Sequence, residues 1–221
     1  MSCITQQKIK VFVIHYTKLT NRKSHIIRQF NTHNITDYEF IEKYDKEDLR
    51  DCDKVLFNTD FKESMMSFIN KTFYVYNLIS ENYETALILE DDVILSNNFT
   101  AILNEYMTQL PEDYDMLFIG NGCNFHIEPH KIVPRKYIYE RGVHPTDWGG
   151  KGATRCTDSY IVSKKCAIKL CNYIKNLTSK INLPGDLWLN IAARDNNLKV
   201  YWAEPTIITQ GTENGLFKSS H

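Results

Sequence analysis

Four apolar residues in succession, Ala86-Leu87-Ile88-Leu89, run straight into Glu90-Asp91-Asp92. An apolar run this short, without polar alternation, suits a strand covered on both faces, and so the middle of a sheet with helices packed on each side. In open sheets of that kind ligands bind beyond the carboxyl ends of the strands, where this acidic triplet falls. Adjacent carboxylates repel one another unless a cation joins them. Residues two apart on an extended strand project to one side, so Glu90 and Asp92 can reach one ligand while Asp91 points elsewhere. Oxygen-only donors suit Mn²⁺ or Mg²⁺, ions that keep waters and substrate phosphates in their remaining positions. The triplet taken alone also reads as a solvated acidic turn.

The flanking sequence fits a sheet of this type. Ile9 to Ile14 is a short apolar strand, followed by His15-Tyr16-Thr17 and then by helical spacing at Ile26, Ile27 and Phe30. Asp37 to Ile41 reads as a second strand ahead of a mixed-charge loop. Between Phe61 and Asn82 the positions Met65, Phe68, Ile69, Phe73, Tyr76 and Ile79 recur every three or four residues, which predicts a helix with a buried face. Asn98 is placed to cap a helix from Phe99 to Leu110, closed by Pro111. Further strands are predicted over 115–119, 159–163 and 199–202, and helices over 164–176 and 184–195. Gly120 to Cys156, rich in glycine and proline, reads as loops and short strands over a site. The alternation predicts an α/β fold with a mostly parallel central sheet, and 221 residues suffice for a single domain around one sizeable core.

Composition excludes some partners. Lys and Arg number 26 against 27 Asp and Glu, so no overall field gathers nucleic acid or an anionic membrane, and phosphate recognition has to be local. The first residues run into a strand without a basic stretch and an apolar segment, so no signal peptide or membrane anchor is expected. The cysteines at 3, 52, 123, 156, 166 and 171 form no C-x-x-C pair, which predicts reduced thiols, neither zinc site nor disulfide framework, and a cytoplasmic location. Asn-x-Thr sequons at Asn34, Asn70, Asn98 and Asn176 are ordinary for a chain rich in Asn and Thr.

With these segments in view, the sequence resembles glycosyltransferase family 25, which includes lipopolysaccharide galactosyltransferases and collagen hydroxylysine galactosyltransferases. The resemblance rests on Val13-Ile14-His15-Tyr16 with Asn21-Arg22, on Ala86 to Val93, on Thr157-Asp158-Ser159-Tyr160-Ile161-Val162-Ser163 with Ala167 and Leu170, and on Leu183-Pro184-Gly185-Asp186 with Leu189. Ala203-Glu204-Pro205, Gln210 and Ser219-Ser220 are similar to the family's closing segment. Two positions depart from the family pattern: His15 stands where Asn is usual, and Lys71-Thr72 replaces a Ser-His pair.

The resemblance implies a GT-A fold and an inverting, metal-dependent transfer of galactose or glucose from a uridine diphosphate (UDP) sugar to a hydroxyl of a glycan or a hydroxylysine-containing protein. It implies that His15, Tyr16 and Thr17 lie against uracil and ribose, that Arg22 pairs with a diphosphate oxygen, and that Asp45 meets the ribose or base. Asp91 and Asp158 would face the donor sugar. Glu90 and Asp92 would hold Mn²⁺ or Mg²⁺, with His221 as a late ligand, and Asp186 would take the acceptor's proton. Each has a plainer reading: a strand-end histidine, a helix-start cation at Arg22, an acidic loop at Asp45, an N-terminal helix cap at Asp186, a frayed terminus at His221. Trp148 and Trp188 could stack on a sugar or lie in the core. Two other functions fit parts of the pattern, a metal-dependent phosphohydrolase or nucleotidyltransferase and a binding module of the same fold without turnover.

Overall fold

A computed structural model describes residues 9–141 and 154–218. Its centre is a seven-stranded sheet in the order β2-β1-β3-β7-β5-β8-β6. The strands are β1 (Lys10–Ile14), β2 (Tyr38–Ile41), β3 (Thr85–Glu90), β5 (Met116–Phe118), β6 (Ile138–Arg141), β7 (Ser159–Ser163) and β8 (Val200–Ala203). A separate ribbon pairs β4 (Val93–Leu95) with β9 (Ile208–Gln210) in antiparallel register. The helices are α1 (Thr20–Thr32), α2 (Asp51–Lys54), α3 (Glu63–Asn82), α4 (Phe99–Gln109), α5 (Lys164–Lys175) and α6 (Gly185–Asp195).

The sheet is mostly parallel. Strands β1, β2, β3, β5 and β8 run one way, and β7 and β6 run the other. Strand β7 is inserted between β3 and β5, so the acidic strand has a parallel neighbour on one side and an antiparallel one on the other. The period of two in strand side chains divides the core. Phe12, Ile14, Ala86 and Ile88 face the layer holding α3, α5 and α6, and Val11, Val13, Leu87 and Leu89 face α1 and α4. Ala86 to Leu89 is at most 1% exposed, as its unbroken apolar run requires. Among the described residues no helix is long and apolar enough to cross a membrane.

Helix α3 departs from the predicted face in an instructive way. Ile69, Phe73, Tyr76 and Ile79 are buried, joined by Met66 and Val75, while Met65 and Phe68 turn towards the cleft described below. The helix therefore serves both core and site. Asn98 stands at the start of α4 in a left-handed conformation (φ 60°), without a side-chain capping bond. Trp188 packs against Phe73 at 4.8 Å between ring centres, in the core layer of α3 and α6. The segment 142–153, with Trp148, and residues 219–221 lie outside the described residues.

Candidate functional site

Two adjoining cavities open at the carboxyl ends of β1 and β3, of about 70 Å³ and about 270 Å³. Both are lined by Arg22, Phe68 and Glu90, so they form one cleft. His15, Tyr16 and Asp91 border the smaller part, and Asp92, Thr157, Asp186 and Thr212 the larger.

On the smaller side, polar groups at the ends of β1 and β2 are tied together by charge. His15 is buried, and its Nδ1 meets Asp91 Oδ2 at 2.7 Å, while Nε2 has no partner among the described residues. Arg22 donates to Asp91 Oδ1 at 2.8 Å and to the Lys218 carbonyl at 2.7 Å. Burial works against ionisation of Asp91, but the His15 and Arg22 hydrogen bonds outweigh it and hold its carboxyl below the usual range. Asp91 thus points away from Glu90 and Asp92, as strand alternation requires, and Arg22 is engaged by the protein itself. Thr17 donates to Asp45 through both backbone N–H and hydroxyl, and Tyr16 donates to Glu47 at 2.6 Å.

Lys71, one of the departures from the family pattern, has a structural explanation. Its side chain is 2% exposed and its ammonium reaches the His15 and Ile41 carbonyls and the Asp45 carboxylate. One cation thereby satisfies the ends of β1 and β2 and the loop that holds Thr17. Substituting Lys71→Met strands the Asp45 carboxylate in a buried position and is expected to cost about 3–5 kcal/mol, measured by urea unfolding. Adding Asp45→Asn should recover a large part of that loss; no recovery would mean that Lys71 acts through its carbonyl contacts.

On the larger side, Glu90 and Asp92 line the cavity, and Asp158, buried outside its lining on the neighbouring antiparallel strand end, is close enough for its charge to act on Glu90. Glu90 accepts a hydrogen bond from Thr157 Oγ1 at 3.0 Å, yet burial together with the charges of Asp92 and Asp158 pushes its carboxyl well up. Asp92 Oδ2 is taken by the backbone and hydroxyl of Thr212, and Asp92 Oδ1 is buried without a partner among the described residues. Asp158 is fully buried; Ser159 donates to its Oδ2 at 2.9 Å and its Oδ1 is unpartnered among the described residues. Burial, with a contribution from Asp92, pushes the Asp158 carboxyl up to about 7. Arg155, also fully buried, pairs with Glu204 and donates to the carbonyls of Gly120 (3.2 Å) and Ala203 (2.9 Å), anchoring the approach to Asp158.

The Asp158 shift carries a sign for stability. Between the ordinary carboxylate range near pH 4 and about 7, the folded chain holds a proton that the unfolded chain has released. Stability in metal-free buffer should therefore fall as pH rises through that window, by on the order of 2–4 kcal/mol. Asp158→Asn should flatten the dependence in urea unfolding series; an unchanged slope would mean that another group titrates.

Of the carboxylates that line the cavity, Asp92 keeps an oxygen without a partner among the described residues, and a nearby cation would offset its repulsion with Glu90. Among the described residues no three His, Cys, Asp or Glu side chains are gathered into a ready-made cage. The donor set suits an ion that keeps other oxygens around it. His221 lies outside the described residues.

Asp186 sits in the first turn of α6, facing the same cavity as Glu90 and Asp92. Its Oδ1 accepts from the Leu187 N–H at 2.9 Å. Burial outweighs that hydrogen bond and raises the pKa of its carboxyl. Thr157 and Thr212 are site residues that sequence reasoning missed. A signal for the second existed in Gly211, where a Cβ would come within 2.7 Å of the Asp92 carbonyl and 2.8 Å of the Phe217 ring. Only glycine lets the closing segment lie this near the acidic strand end.

Against known proteins, a protein of Acanthamoeba polyphaga mimivirus, a glycosyltransferase by name alone, is 29% identical over 128 residues. That alignment takes in 53% of this chain and 39% of the viral protein. Two solved structures of Drosophila β1,4-galactosyltransferase 7 superpose on 93% of this chain and 68% of theirs, with 11% identity and TM-scores of 0.46 and 0.47. One holds manganese, UDP-galactose and xylobiose and the other xylobiose; at that distance no residue role is carried across. The family described as "Glycosyltransferase family 25 (LPS biosynthesis protein)" matches residues 8–189, a span that runs from β1 through the acidic strand to Asp186. The chain belongs to glycosyltransferase family 25.

Proposed function

We propose that the chain transfers a hexose, galactose or glucose, from a UDP-sugar to a hydroxyl of a glycan or a hydroxylysine-bearing protein, with inversion at the anomeric carbon. The observation that carries this reading is the shared cavity: Asp92, with an unpartnered oxygen, and Asp186, with a raised carboxyl, face one space. That space continues into the part bordered by His15 and Tyr16, where a nucleoside would lie.

The roles follow from chemistry and position. Asp92 and Glu90 would hold Mn²⁺ or Mg²⁺, which when bound supplies Lewis-acid stabilisation of the departing diphosphate. Tyr16 and Thr17, steadied by Glu47 and Asp45, present a polar edge for ribose and base. Asp158, which the resemblance assigns to the donor sugar, is buried against Gly120 and Gly122, outside the lining of both parts of the cleft. Asp186 takes the proton of the acceptor hydroxyl as it attacks. A carboxyl raised by burial is a stronger base than a solvated one and still ionised above its pKa. Arg22 and Asp91, paired with each other, hold the closing segment over the cleft.

The test needs no acceptor. Melting is followed with Mn²⁺ and a panel of nucleotides and nucleotide sugars, since a ligand that binds only the folded chain stabilises it by about 2.7 kcal/mol at a hundred times its Kd. A selective response to UDP and one UDP-hexose supports the reading; equal indifference to every nucleotide sinks it. A binding module without turnover would give the same melting response and leave the donor unconsumed when acceptors are supplied.

A further inference from the structure

Cys123 and Cys156 are 33 residues apart, yet their sulfurs lie 3.2 Å from each other, nearer than ordinary non-bonded sulfur contact. Cys123 belongs to the turn after β5 and Cys156 to the segment leading into β7. Both hold left-handed backbone, with φ of 53° and 58°, a conformation that L residues other than Asn and Asp seldom adopt. Gly122 lets the two segments meet: a Cβ there would come within 2.6 Å of Cys156 Cβ and 2.7 Å of the Arg155 carbonyl. The buried Arg155 and its partner Glu204 fix one of these segments from below.

We propose that this pair is a modification site, a dithiol at the rim of the cleft that reacts with a small disulfide such as glutathione disulfide and closes to an internal Cys123–Cys156 bond. Both residues are partly exposed, which gives a small disulfide a route to them even though burial raises both thiols, whereas Cys166 and Cys171 are buried. One cysteine thiolate attacks the reagent, forms a mixed disulfide and releases one small thiol. The second cysteine thiolate then displaces the other. Two protein S–H bonds are replaced by one S–S bond, and their protons end on the two small thiols released. Reaching a bond length of about 2.05 Å asks each segment to move by roughly half an ångström. The bond would act on the cleft directly, because Cys156 lines it beside Asp186 and the adjoining Thr157 donates to Glu90.

The experiment reads the thiols themselves, so it stands or falls independently of the proposed transfer. The full chain is equilibrated with reduced and oxidised glutathione, acid-quenched, alkylated and digested without reduction, and the peptides are identified by mass. Cys123 and Cys156 are expected to be lost together as free thiols, into one cross-linked peptide pair, and Cys123→Ser is expected to leave Cys156 free or carrying a single glutathione. The proposal is overturned if both cysteines in the unaltered chain stay free, carry only glutathione, or cross-link to other cysteines.

Discussion

Asp186→Asn is expected to lower the transfer rate about 10²–10⁴-fold, the usual contribution of a general base, while leaving donor binding in place. The split follows from position. Asp186 faces the cavity from α6 and its Oδ1 accepts from the Leu187 N–H, which an Asn side-chain oxygen also does. The helix start is therefore kept and only proton uptake is lost. The effect should fall on kcat, with the melting response to UDP and Mn²⁺ unchanged. The unaltered enzyme should lose rate as pH falls through the Asp186 pKa, at a higher pH than a solvated carboxylate would give, because burial raises that pKa. The variant's residual rate should lack that limb. A variant that transfers at full rate would assign the base elsewhere.

Asp92→Ala is expected to remove the nucleotide response itself. The unpartnered Oδ1 is the oxygen most in need of a cation, and Oδ2 is already held by Thr212. Without the carboxylate, the stabilisation of about 2.7 kcal/mol at a hundredfold excess of UDP with Mn²⁺ should vanish. Chelation of the metal should do the same to the unaltered chain. Ligand-free stability should change much less, because the loss of the Thr212 bonds, about 1–2 kcal/mol, is offset by relief of repulsion with Glu90 and Asp158. A melting response that survives in Asp92→Ala would place the diphosphate away from the acidic strand end.

Much of this architecture was legible along the chain. The apolar run at Ile9 to Ile14 starts one residue before β1 (Lys10–Ile14) and ends with it, Ala86 to Leu89 lies within β3 (Thr85–Glu90), and 63–82 is helical as its spacing predicted. The acidic triplet does stand at a strand end, and alternation does turn Asp91 away from Glu90 and Asp92. Some readings were coarser. The ribbon of β4 and β9 went unseen, since strands of three residues give too little periodicity to register. The reversal of β7 was also hidden, because a strand buried on both faces reads the same in either direction.

What the sequence by itself determined is local: where strands and helices run, which strand carries the carboxylates, and the family to which they belong. These rest on periodicity and on spacing within a dozen or so residues, which the chain states directly. The tertiary structure decided the pairings: Arg22 with Asp91, Lys71 with Asp45, Thr212 with Asp92, and Cys123 with Cys156. Each joins groups far apart in the chain, and a charge or thiol carries no mark of its partner until the sheet brings them together. Burial is likewise a property of the assembled fold. It is burial that raises the carboxyls of Glu90, Asp158 and Asp186, a shift no carboxylate shows in the sequence alone.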